Sequence, residues 1–177
     1  MKRFKNLFIM ISLLLLILLV LSSCQNRMMQ EPAIKISYDS KELKPIYYGD
    51  RYNKEKEDIE EGIKSFMVGK KFIELPMIDF GEKIEIEALN FETTEFEVYD
   101  YIVDERGNIV SDYCINPLIV TSVEDGNAEF IFEKNEDLER YYDYMVEGKS
   151  IHCLLIRSKI NKSSFAFSTL VLGQNKY

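Results

Sequence analysis

The sequence predicts a mainly β fold, an antiparallel β-sandwich, with one short amphipathic helix near residues 54–68. Three observations predict it. After Gly69 the apolar residues recur at every second position, in runs of strand length. Turn-forming residues interrupt those runs, as at Asp104-Glu105-Arg106-Gly107 and Glu124-Asp125-Gly126-Asn127. Before Gly69, one stretch has helical period instead.

Taken in order, Ala33 to Tyr38 sets Ile34, Ile36 and Tyr38 against Lys35 and Ser37, a short strand. Residues 39–53 are polar, with Tyr47, Tyr48 and Tyr52 among them and a turn at Gly49-Asp50. Ile59, Ile63, Phe66 and Met67 then fall on one face of a helix over 54–68. Asn53 suits its N-cap, Glu55, Glu57 and Asp58 its positive end, and Gly69 its C′ position. Gly62 weakens its middle.

Strand patterns fill the rest. Phe72 to Leu75 is a short run stopped by Pro76, and Lys83 to Phe91 alternates Ile84, Ile86 and Ala88 with Glu85 and Glu87. Glu95 to Val103 alternates Phe96, Val98, Asp100 and Ile102 with Glu97, Tyr99, Tyr101 and Val103. Ile109 to Ile115 reads as its returning hairpin strand, ended by Pro117. Leu118 to Val123, the run carrying Ala128, Phe130 and Phe132, Ser150 to Ile160 and Ser163 to Leu172 complete about eight strands. Residues 134–149 are charged and Tyr-rich. A small barrel is the alternative closure.

The first 23 residues have a different logic. Lys2, Arg3 and Lys5 precede a 15-residue apolar run, Leu7 to Leu21, broken only by Ser12, and Leu21-Ser22-Ser23-Cys24 follows. This is the layout of a secretory signal peptide. The run is shorter than the ~20 residues a membrane span needs. Its ending resembles the lipobox of bacterial lipoproteins, with an aliphatic and two small residues before a cysteine. The resemblance implies cleavage before Cys24 and lipid on its thiol, which holds the chain at the outer face of a membrane. Residues 1–23 are then a leader, 24–32 a tether, and 33–177 the sandwich domain. Glu95 to Tyr113 resembles a hairpin of an immunoglobulin-like module. The whole resembles small uncharacterised lipoproteins of Gram-positive bacteria.

Without the leader the chain carries 19 basic and 30 acidic residues, a formal net charge of −11. Phosphate contacts need clustered Lys and Arg, so this balance argues against nucleic acid and against adhesion to anionic headgroups. His152 is the only histidine, and a Ser-His-Asp or Cys-His device would have to use it. Its neighbour Cys153 points to the opposite face of a strand, so those two form no dyad, and His152 lacks an in-register nucleophile. One histidine also removes the usual His-rich zinc sites, and no metal or cofactor is expected. Cys114 and Cys153 are open to two readings, a disulfide or two buried thiols.

Eleven tyrosines stand against no tryptophan. Tyr47, Tyr48 and Tyr52 lie in one polar segment and Tyr141, Tyr142 and Tyr144 in another, which makes them the candidate binding surface. Edge packing over the core is the competing reading. These features point to a lipid-anchored, extracytoplasmic binding or interaction module without catalysis, its protein or envelope partner unnamed. The alternatives are a hydrolase using two carboxylates and an accessory subunit of a transport or envelope complex.

Overall fold

The computed structural model describes residues 31–49, 55–113, 117–135, 138–160 and 163–176. The leader, Cys24, most of the tether, Tyr52, Asn53 and Cys114 lie outside them. Among the described residues ten strands and one α-helix follow in order: β1 (Ile34–Tyr38), β2 (Lys41–Leu43), β3 (Ile46–Tyr47), α1 (Lys56–Met67), β4 (Met77–Asp79), β5 (Glu82–Ala88), β6 (Glu95–Val103), β7 (Ile119–Ser122), β8 (Asn127–Phe132), β9 (Ser150–Ile160) and β10 (Ser163–Gln174). A single 3₁₀ turn occupies Phe72–Glu74, and two successive 3₁₀ turns with a kink at Tyr141 occupy Leu138–Tyr144.

The strands form two sheets that pack face to face. One has the order β2-β1-β5-β8, the other β3-β10-β9-β6-β7, with β4 alongside β10. All pairs are antiparallel except β4 with β10. Strand order bears out the immunoglobulin-like expectation. β1, β5 and β8 take the places of strands A, B and E, while β7, β6, β9 and β10 take those of C′, C, F and G. The helix is an insertion between β3 and β4, on the way from the first strand to the second of that scheme.

Alternation explains the four-stranded sheet. Ile36, Ile84, Ile86, Phe130 and Phe132 turn inward, and Lys35, Lys83, Glu85, Glu87 and Glu129 turn outward. Lys83 Nζ bonds Glu129 at 2.9 Å and lies 3.3 Å from Glu85, so the wet face is laced by exposed ion pairs. The six-stranded sheet behaves differently, because both of its faces are buried. Phe96, Val98, Leu154, Ile156, Phe167 and Val171 join the core between the sheets. Tyr99, Tyr101, Cys153, Leu155, Leu170 and Leu172 join a second core under Ile59, Ile63 and Met67 of α1. That is why β9 is buried at every position from Ser150 to Ser158, as expected of a strand covered on both faces. Each large apolar side chain so enclosed contributes about 1.5–3 kcal/mol. Residues 32–177 are one compact unit that holds both cores entire.

α1 matches the expected helix, and Gly69 adopts the left-handed conformation (φ +75°) that stops it. Its N-cap is Glu55, whose side chain makes no capping bond. Gly62 faces the ring of Tyr48, and a Cβ at that position would run into it.

Two strand expectations are corrected. Phe72 to Leu75 is a 3₁₀ turn, closed by the Leu75 N–H donating to the Phe72 carbonyl at 3.0 Å. Ile109 to Ile115 is no returning strand over its described part, because the chain is drawn to the helix layer. Ile109 makes a single bridge to Val103, is buried against α1, and donates its N–H to Glu60 Oε1 at 2.8 Å. Ser111 Oγ then accepts the Ile102 N–H at 2.9 Å and ends the pairing. β7 takes over as the edge partner of β6. Within the polar segment, β2 and β3 are short strands that carry no alternation of their own.

Candidate functional site

Asp100 interrupts the inward apolar face of β6 between Val98 and Ile102. β9 places His152 on the same face, one step diagonal to Asp100, since Asp100 pairs with Leu154 and Ile102 with His152. Ser150, two residues before His152, shares that face and pairs across from Gly173 of β10. The three side chains join end to end, which corrects the expectation that His152 lacks an in-register hydroxyl or thiol: Ser150 is that group. His152 Nδ1 lies 2.7 and 2.9 Å from the two Asp100 oxygens, and Nε2 lies 2.7 Å from Ser150 Oγ. With the Nδ1 proton donated to the carboxylate, Nε2 is left to accept the Ser150 hydroxyl proton.

The surroundings close this string in. The imidazole sits edge-on to Phe80 and Phe132, with centroids 5.6 and 4.9 Å away. It rests over Gly173, where a Cβ would come within 2.7 Å of Nε2. His152 is fully buried and Ser150 is 2% exposed. The order Ser–His–Asp is that of a hydrolytic triad. A triad also needs amide donors aimed at a developing oxyanion. Here Ser150 lies in the β9–β10 ladder, and Ile151 pairs with Leu172 on one side and Val103 on the other, so the nearby amides serve strand pairing.

Each end of the string meets a cleft. Ser150 contributes to a hollow of about 310 Å³ with Phe80, Leu138, Tyr142 and Gly173. Asp100 lies in a cleft of about 380 Å³ between the edges of β7 and β8. Those edges are tied where Thr121 Oγ1 donates to the Glu129 carbonyl at 2.8 Å. Towards Leu118 and Ile131 they part, and Val98, Phe130, Phe132 and Leu154 of the core line the opening. Leu118 and Ile131 are 66% and 42% exposed at its rim. Asp100 is its one inward-facing acid, with a side chain 10% exposed, while Glu133 and Lys134 follow the end of β8.

The tyrosines expected to form a surface divide. Tyr47 packs on Phe167 with centroids 5.1 Å apart, on the inter-sheet side. Tyr48 packs on the other side, its hydroxyl 2.8 Å from Ser168 Oγ, and burial pushes its phenol well above the ordinary value. Both are half-buried, and they pack on opposite sides of the six-stranded sheet. Tyr142 and Tyr144 are exposed, and Tyr141 is half-buried. β3 meets β10 at Phe167, whereas Tyr142 lines a hollow with Gly173, six residues on and about 20 Å along an extended strand. Tyr47 and Tyr142 therefore stand at different places along β10. Tyr52 lies outside the described residues.

Cys153 points away from His152, as the alternation requires, and carries a free, buried thiol that burial pushes up to about 12. Its expected partner, Cys114, is outside the described residues. Among the described residues, no group of three or more His, Cys, Asp and Glu side chains is placed to hold a metal ion, and no helix is long and apolar enough to cross a membrane. No protein-family model matches the chain, and no curated protein is similar to it in sequence.

Proposed function

We propose that this protein is a lipid-anchored, extracytoplasmic module that acts by binding, and that its ligand enters the cleft between β7 and β8. The observation that carries this reading is the make-up of the cleft. Its walls include the core side chains Val98, Phe130, Phe132 and Leu154, exposed Leu118 and Ile131 stand at its rim with Glu133, Lys134 and Asn135 beside them, and one oriented carboxylate lies inside. A largely apolar hollow of 300 Å³ or more with few, fixed polar groups is the usual form of a ligand site. The leader and lipobox supply the address, so anchoring asks nothing of the sandwich.

The test uses the 32–177 domain and a neutral apolar dye, N-phenyl-1-naphthylamine. Its fluorescence should rise to saturation with the wild type. It should rise far less with Leu118→Glu or Ile131→Glu, which put a charge at the mouth and touch exposed positions only. An equal rise in all three proteins would count against the cleft.

A second reading rests on one observation, the connectivity of Ser150, His152 and Asp100. It makes the protein a serine hydrolase. Incubation with a fluorophosphonate decides between them. The binding reading expects no adduct on Ser150. An adduct that Ser150→Ala abolishes would establish the hydrolase instead.

A further inference from the structure

We infer that the cleft between β7 and β8 selects an apolar molecule ending in an ammonium group, which Asp100 receives; this rests on the binding reading above. Asp100 is nine-tenths buried, yet its two oxygens share a single donor, the Nδ1–H of His152. A carboxylate offers about four lone-pair positions, and one N–H split between both oxygens leaves most of them without a partner. Buried polar capacity of this kind is costly unless a donor fills it. Among the described residues nothing fills it: Asp100 has no other hydrogen bond or ion pair there, and Lys134 at the rim makes no ion pair with it.

The chemistry of the missing donor follows from the walls. Val98, Phe130 and Leu154 accept only an apolar body. The carboxylate repels an anion and gains most from a cation, because charge-assisted bonds are about twice as strong as neutral ones. The acid-rich charge of the chain, −8 over its whole length, biases approach in the same direction. His152, held by Ser150, Phe80 and Phe132, acts as a positioning residue: it fixes which oxygen edge the cleft presents.

The experiment titrates the isotope-labelled 32–177 domain with hexylammonium, 1-hexanol and hexanoate, following amide and methyl shifts by NMR. Hexylammonium should bind about tenfold more tightly than 1-hexanol, and hexanoate should not bind. In Asp100→Asn the preference for the ammonium should vanish while 1-hexanol still binds. A nuclear Overhauser effect from the ammonium-bearing methylene to the Asp100 β-protons should appear in the wild type, a readout that does not depend on how the variant folds. Equal affinity for hexylammonium and 1-hexanol in the wild type would overturn this inference and leave the cleft reading standing. Absence of saturable shifts with either would overturn both. An ammonium preference that persists in Asp100→Asn would overturn the role given to Asp100.

Discussion

His152 and Asp100 are 52 residues apart in sequence and 2.7 Å apart in space, joined across β9 and β6 inside a largely apolar layer. The pair survives there because Ser150 satisfies the far ring nitrogen and the ring edges meet Phe80 and Phe132. The seat depends on Gly173, which leaves the space the imidazole occupies.

Gly173→Ala should therefore destabilise the domain. The added Cβ would meet His152 Nε2 and Phe80 at 2.7 Å, inside contact distance of two rings that are themselves packed. Overpacking of this kind costs about 1–3 kcal/mol. Chemical denaturation would show it as a lower midpoint with unchanged slope. A midpoint equal to that of the wild type would mean that the ring is not seated on Gly173.

Gly62→Ala should also destabilise, against the usual trend. Alanine in a helix interior normally gains about 1 kcal/mol over glycine. At this site the methyl would enter the ring of Tyr48, whose hydroxyl is held by Ser168. A rise in stability on equilibrium unfolding would show that Tyr48 does not pack against the helix.

Alkali should unfold the protein from about pH 9 upward. Burial holds the Cys153 thiol protonated to about 12 in the folded state, against an ordinary value of 9.0. Tyr48 and Tyr101 are likewise raised, chiefly by burial, above 10.0. Groups with raised folded values leave stability intact below the unfolded value. Stability is lost as pH climbs towards the folded value, because the unfolded chain then releases protons that the native state keeps. Thermal melts followed by circular dichroism should be level up to about pH 9 and fall beyond it. Level melts up to pH 11 would contradict the burial of these groups.

Cys24 should be the site of lipidation and the point of processing. Leu21-Ser22-Ser23-Cys24 follows a 15-residue apolar run, and the two acyl chains of a diacylglyceryl group suffice for stable anchoring. Cys24→Ser should abolish acyl-label incorporation and leave unprocessed precursor. A variant processed and labelled like the wild type would remove the lipoprotein reading.

Much of the sandwich was legible because period-2 alternation survives wherever one face is wet, as in β5 and β8. The helix was legible from Ile59, Ile63 and Met67, all of which are buried. The hairpin after β6 was misread because Ile109 answers to α1 and not to the sheet, a contact with a segment some 50 residues away. The string in the core left two local signs: Asp100 at an inward position of β6, and Ser150-Ile151-His152 with its outer members on one strand face. Neither sign specifies a partner, since only strand order brings β6 beside β9. The opposite sides taken by Tyr47 and Tyr48 were not legible for a related reason: β3 is two residues long, too short to show alternation.

The most direct test of the cleft is where a bound ligand touches. With hexylammonium bound to the 32–177 domain, intermolecular Overhauser effects should connect its chain protons to the methyl groups of Val98, Ile119 and Leu154, which lie inside the opening. Effects confined to exposed apolar residues elsewhere, such as Val68 and Leu89, or saturable binding with no effect to those three residues, would contradict the account.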